Sequence, residues 1–103
     1  MAEAAEKPRT LPYVAAITDG VRQILKEQDN AFVAGEDVAG AGSVYGYYNG
    51  LLKEFGPDRV FDTPISEDGI VGLGVGAAAT GCRPIIDLMF MDFLGECMDE
   101  VAN

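Results

Sequence analysis

The chain has no histidine and no tryptophan, only two cysteines, and seven basic side chains against seventeen acidic ones. Each shortage excludes something. Without histidine, acid–base chemistry near neutral pH has lost its usual agent, so any catalytic role falls to a carboxylate, a cofactor or a partner's side chains. Without histidine and without a CxxC pair, zinc has almost no ligands to use. Cys82 and Cys97 are too few for a disulfide scaffold, which points to a reducing, cytoplasmic compartment. A net charge of −10 and a pI near 4.1 argue against phosphate-backbone and anionic-membrane partners, which need clustered basic groups. No apolar run reaches transmembrane length. The opening MAEAAEKPRT has neither the apolar core of a signal peptide nor the composition of a transit peptide.

What is present is globular: 103 residues, 49% hydrophobic, enough for one small domain. Residues 1–9 read as a flexible lead-in, and residues 10–103 as the folded part. Thr10 is placed to cap a helix running to about Gln28, with Pro12 in its first turn and Val14, Ile17, Val21 and Leu25 as its apolar stripe. AFVAG (31–35) reads as a short buried strand entering the glycine-rich loop GEDVAGAGS. Tyr48, Leu51, Leu52 and Phe55 mark a helix stopped by Gly56-Pro57. RVFDTPI (59–65) is extended, held so before Pro64. Residues 69–80 form a small-residue helix, and PIIDLMF (84–90) has the uniform apolarity of a strand covered on both faces. Leu94, Met98 and Val101 predict a last helix, with Asp92 as its cap. That helix stops at Asn103 with its stripe unfinished, so the chain is expected to be the N-terminal piece of a longer protein.

Strands alternating with helices predict an α/β fold, a parallel sheet flanked by helices. Ligands in such folds sit at the carboxyl ends of the strands. Glu36, Glu67 and the stretch from Met89 to Phe93 all fall there and are expected to border one crevice. The glycines at 72, 74 and 76 make a GxGxG, which is not the GxGxxG of a dinucleotide site. Inside a helix each costs about 1 kcal/mol relative to alanine, which suggests close packing by a neighbouring element or subunit. The acids Asp87, Asp92, Glu96 and Asp99 resemble a solvated face more than a metal site. Tyr45, Tyr47 and Tyr48 read as core and interface aromatics, and the cysteines as small buried hydrophobes.

Glu67 admits two readings. Acids at a helix start are stabilised by the dipole, so Glu67 and Asp68 can be simple caps. Yet Ile65, Ile70 and an apolar helix surround Glu67, and a desolvated carboxyl there would hold its proton more tightly and could trade it with a ligand.

The stretches FVAGEDVAG and GLLKEFGPDRVFDTPISEDGIVGLGVGAAATGCRPIIDLMFMDFLGECMDEVAN, in that order, closely resemble the β subunit of thiamine-diphosphate-dependent 2-oxo acid dehydrogenases and of acetoin dehydrogenases. FGPDRVFDTPISE followed by a glycine helix is the most specific part. The resemblance implies a transketolase-type pyrimidine-binding domain, incomplete here, with thiamine diphosphate bound between subunits. It implies that Glu67, the glutamate of PISE, hydrogen-bonds the cofactor's aminopyrimidine ring. The ring's own amino group is thereby helped to take the proton from the thiazolium carbon. It also implies that Phe93 stacks on the pyrimidine, that Ile65 and Met89 line its pocket, and that Glu36 relays protons near the subunit interface. Asp68 is given no part. Nothing here matches the family's diphosphate and Mg²⁺ motif, which belongs to the α subunit. The implied assembly is α₂β₂ with a lipoyl-bearing acyltransferase as further partner. The reaction is oxidative decarboxylation or cleavage with acyl transfer to the lipoyl group, and this chain alone is inactive. The rival from another class is a truncated, non-catalytic subunit acting as an interaction module. A nicotinamide-nucleotide binder is the third option, disfavoured by the glycine spacing.

Overall fold

The computed structural model describes residues 8–102. Three strands form one parallel sheet in the order β2-β1-β3: β1 is Ala31–Gly35, β2 Val60–Asp62 and β3 Arg83–Asp87. Helices α1 (Tyr13–Glu27), α2 (Leu51–Phe55) and α3 (Glu67–Ala79) connect and flank the strands. A 3₁₀ segment, Met91–Cys97, then runs into α4, Met98–Ala102. The parallel α/β architecture predicted from the alternating pattern is therefore present. The lead-in expected over residues 1–9 lies outside the described residues except for Pro8 and Arg9, and Arg9 pairs with Asp19 at 2.8 Å.

The register explains the two faces. Val33 stands opposite Val60 and Ile85, and this row faces the main core of Leu25, Ala31, Val38, Tyr48 and Leu51. Ala34 stands opposite Phe61 and Ile86, one residue on and so on the other face. There Ile86 meets α3 at Gly74, where an added Cβ would lie 2.6 Å from Ile86 Cγ1. Close packing was the expectation for the helix glycines. The neighbour at Gly74 is a strand side chain, Gly72 lies beside Glu100, and Gly76 has open space around it.

Several predicted boundaries move for local reasons. α1 begins at Tyr13, and Pro12 occupies the cap position without a side-chain bond, so Thr10 does not cap it. Proline keeps the preceding Leu11 out of the helical region, which blocks an earlier start. Tyr48 sits in a turn ahead of α2, because Gly50 at φ 81° interrupts the helix between them. α3 starts at Glu67, so both acids of the motif stand in its first turn. Asp92 makes no capping bond, since Phe90 in extended conformation precedes the 3₁₀ segment.

β3 needs a larger correction. It ends at Asp87, because Met89 at φ 67° turns the chain away. Ile85 on the core side and Ile86 against α3 give it cover on both faces, but the cover is partial, and among the described residues it is an edge strand. The opposite ends of the strands are tied by Arg59, whose guanidinium donates to the carbonyls of Ala31 and Gln28.

Candidate functional site

The carboxyl ends of the three strands converge through one glycine. Gly35 closes β1 directly opposite Asp87 of β3, and a Cβ there would lie 2.6 Å from the Asp87 carbonyl oxygen. Only glycine allows that approach. It carries the next residue, Glu36, into the interior, where it is 9% exposed.

Glu36 lies against the first turn of α3. The Ser66 backbone and the Glu67 side chain lie close enough to its carboxyl to act on its proton affinity. Burial pushes Glu36 above the ordinary carboxyl value, the negative charge of Glu67 pushes it further, and the Ser66 N–H only partly opposes this. Among the described residues its buried Oε1 has no hydrogen-bond partner, and neither has Thr63 Oγ1. Glu67 itself is half-buried, and the deeper burial is that of Glu36.

The loop after Glu36 is not a loose connection. Asp62 at the end of β2 accepts the N–H of Ala39 at 2.7 Å and of Gly40 at 3.3 Å. Ser43, buried at 8% exposure, accepts the N–H groups of Tyr45 and Tyr47, each at 3.2 Å. Tyr48 is thereby delivered into the core, while Tyr45 stays half-exposed edge-to-face with Phe90, 5.9 Å between ring centres.

Contrary to the expectation from the strand-end rule, the remaining predicted residues do not share one crevice with this pair. Ile65 is 83% exposed. Met89 lines a cleft of about 390 Å³ with Tyr47, Tyr48, Asp87, Phe90 and Leu94, and neither Glu36 nor Glu67 lines it. Phe93 is half-buried, edge-on to Phe90 at 5.8 Å. Its carbonyl accepts from the thiol of Cys97 at 3.6 Å. Cys97 is fully buried, and that burial, with the charges of Asp68 and then Glu67 nearby, raises its thiol above the ordinary value. The structure thus brings Glu36 and Glu67 together and sets the 3₁₀ segment against them.

The sequence reading missed Asp87, placed there on a solvated face. Its Oδ1 accepts the N–H of Met89 at 2.6 Å, and its charge lies near enough to the buried Tyr48 phenol to raise it. An acid two residues before a chain reversal is the turn signal that could have flagged it.

A carboxyl on a helix start beside a buried acid whose Oε1 has no partner among the described residues can hold and exchange a proton with a polar group brought to it. Among the described residues no group of three or more His, Cys, Asp or Glu is placed to hold a metal ion. The model of the transketolase pyrimidine-binding domain matches residues 9–103. The chain belongs to that family.

Within it, the chain is 49% identical over 93 residues to the pyruvate dehydrogenase E1 component subunit beta of Staphylococcus epidermidis, which covers 90% of this chain and 29% of that protein. The corresponding subunit of Bacillus subtilis is 48% identical over the same length and coverage. The acetoin:2,6-dichlorophenolindophenol oxidoreductase subunit beta of Bacillus subtilis is 42% identical over 107 residues, covering 92% of this chain and 31% of that one. The chain therefore spans under a third of the length of these curated relatives. The pyrimidine-binding fold and the kinship with dehydrogenase β subunits agree with the resemblance carried by PISE and its glycine helix.

Proposed function

We propose that this chain is the N-terminal portion of the β subunit of a thiamine-diphosphate-dependent 2-oxo acid or acetoin dehydrogenase. In this reading it supplies the carboxyl that activates the cofactor's aminopyrimidine. The observation that carries the reading is the Glu36–Glu67 pair at the carboxyl ends of a parallel sheet, with one buried oxygen of Glu36 lacking a partner among the described residues.

The chemistry the bound group supplies is an acidic thiazolium carbon, able to add to a 2-oxo acid or ketone and to hold the electron pair left by cleavage. The chain's residues serve that chemistry by proton placement. Glu67, on the first turn of α3, faces the pyrimidine ring and exchanges a proton with a ring nitrogen. Glu36 keeps that proton inventory local, because its own burial favours the protonated form. Phe93, Met89 and Ile65 would supply the apolar surface that holds the ring and excludes water. The diphosphate and Mg²⁺ fall to an α subunit, which also covers Ile65. An α₂β₂ assembly then passes the acyl group to a lipoyl-bearing acyltransferase.

Glu67→Gln tests this in the assembled enzyme, because an amide keeps the shape but cannot exchange the proton. Turnover is expected to be abolished, and near-normal turnover would sink the assignment.

A second reading, an association module without catalysis, draws on α3, where Leu73 and Val75 are 42% and 50% exposed. Thiamine diphosphate with Mg²⁺ separates the two. At a hundredfold excess over its dissociation constant it stabilises the α–β assembly by about 3 kcal/mol if it binds the native form, and leaves the melt unmoved if the chain only associates.

A further inference from the structure

The carboxylate that ends β3 is bonded to the chain reversal that follows it. Asp87 Oδ1 accepts the Met89 N–H at 2.6 Å, and Met89 stands at φ 67°, a left-handed backbone that a non-glycine residue keeps only when its surroundings hold it. Beside the same carboxylate stands the phenol of Tyr48, 6% exposed and pushed above its ordinary value by burial and by the charge of Asp87. On its main-chain side Asp87 packs on Gly35, the residue that aims Glu36 inward. One residue therefore adjoins the end of β1, the turn that carries Tyr48 and the reversal that presents Met89.

We propose that Asp87 is a positioning residue of the pyrimidine pocket: by holding Met89 in its left-handed conformation it sets the wall on which the cofactor ring rests. This rests on the placement of Met89 in that pocket proposed above. In this role Asp87 acts through the main chain of Met89. The Met89 N–H bond is already made without a ligand, so the reversal is set before any cofactor arrives.

The test uses the full-length β subunit assembled with its α partner, and measures thiamine diphosphate affinity by calorimetry in the presence of Mg²⁺. Asp87→Ala is expected to weaken binding about tenfold. Asp87→Asn, which keeps an acceptor oxygen for the Met89 N–H, is expected to stay within about threefold of the parent. In a Met89→Gly background, where φ 67° needs no support, removing Asp87 is expected to change affinity no further. An equal loss in both backgrounds overturns the proposal, as does an Asp87→Ala enzyme that melts lower but binds the cofactor as the parent does. If Asp87→Ala fails to assemble, Asp87→Glu replaces it. That change displaces the acceptor by one methylene and is expected to bind about tenfold more weakly than Asp87→Asn, and equal affinities overturn the proposal. Glu67→Gln in the same enzyme separates the two levels. Normal turnover there removes the reading of the site. Lost turnover there, with unchanged affinity in Asp87→Ala, removes only the role of Asp87.

Discussion

Adding one methyl group at Gly35 and one at Gly76 is expected to have opposite effects, and the structure supplies both signs. At Gly35 a Cβ would meet the Asp87 carbonyl oxygen at 2.6 Å, Val38 Cγ1 at 3.0 Å and Asp87 Cβ at 3.1 Å. Two of the three are atoms of the β3 residue directly opposite, so relief requires β1 and β3 to separate where they converge. Overpacking of this kind costs about 1–3 kcal/mol. At Gly76, in the exposed part of α3, nothing lies within 4 Å. There the change to alanine gains only helix propensity, about 0.8–1 kcal/mol in favour of the folded state. Urea denaturation of each variant, with a slope of about 2 kcal/mol per molar, places Gly35→Ala about 0.5–1.5 M below the parent midpoint and Gly76→Ala up to about 0.5 M above it. The Gly35→Ala variant is also expected to lose the inward aim of Glu36. A Gly35→Ala protein as stable as the parent would refute the convergence of the strand ends, and with it the geometry of the site.

Two further outcomes follow from the same pair of acids and from the thiols. The folded-state proton affinity of Glu36 is raised above that of an ordinary carboxyl, 4.5. Its stabilising contribution is therefore complete below that pH and is lost as pH rises through the elevated value. Melting temperature against pH for the parent and Glu36→Gln is expected to diverge above about pH 4.5, the variant gaining, and parallel curves would contradict the burial of charge at Glu36. Cys97 is fully buried with its thiol on the carbonyls of Leu94 and Phe93, whereas Cys82 is half-buried. An aromatic disulfide reagent is expected to label Cys82 in the native protein and Cys97 only after unfolding. Native labelling at Cys97 would mean that the 3₁₀ segment does not pack on α3 as described.

The alternation of apolar runs and helical stripes was enough to place β1 and the order of the elements, because a parallel sheet's central strand must be apolar on both sides. The boundaries were harder to read, since they depend on single backbone conformations: Gly50 and Met89 at positive φ end one predicted helix and one predicted strand. The sites divide in the same way. Glu67 was visible because PISE is a local motif. Glu36 was placed near it by the strand-end rule, but their closeness was not legible, because it joins the ends of two strands and depends on Gly35. Asp87 was passed over because a carboxylate that bonds a main-chain N–H two residues on looks, in sequence, like any surface acid. The exposure of Ile65, at 83%, could not be read from its apolar neighbours.

The account turns on Glu67 giving and taking a proton at the cofactor's pyrimidine. The most direct measurement is the rate at which the thiazolium carbon of bound thiamine diphosphate exchanges its proton for deuterium, followed by quenched-flow and proton NMR in the assembled parent and Glu67→Gln enzymes. Exchange is expected to slow by at least a hundredfold in Glu67→Gln while the cofactor stays bound, since a positioned proton donor contributes about 10²–10⁴ in rate. Equal exchange rates in the two enzymes would contradict the account.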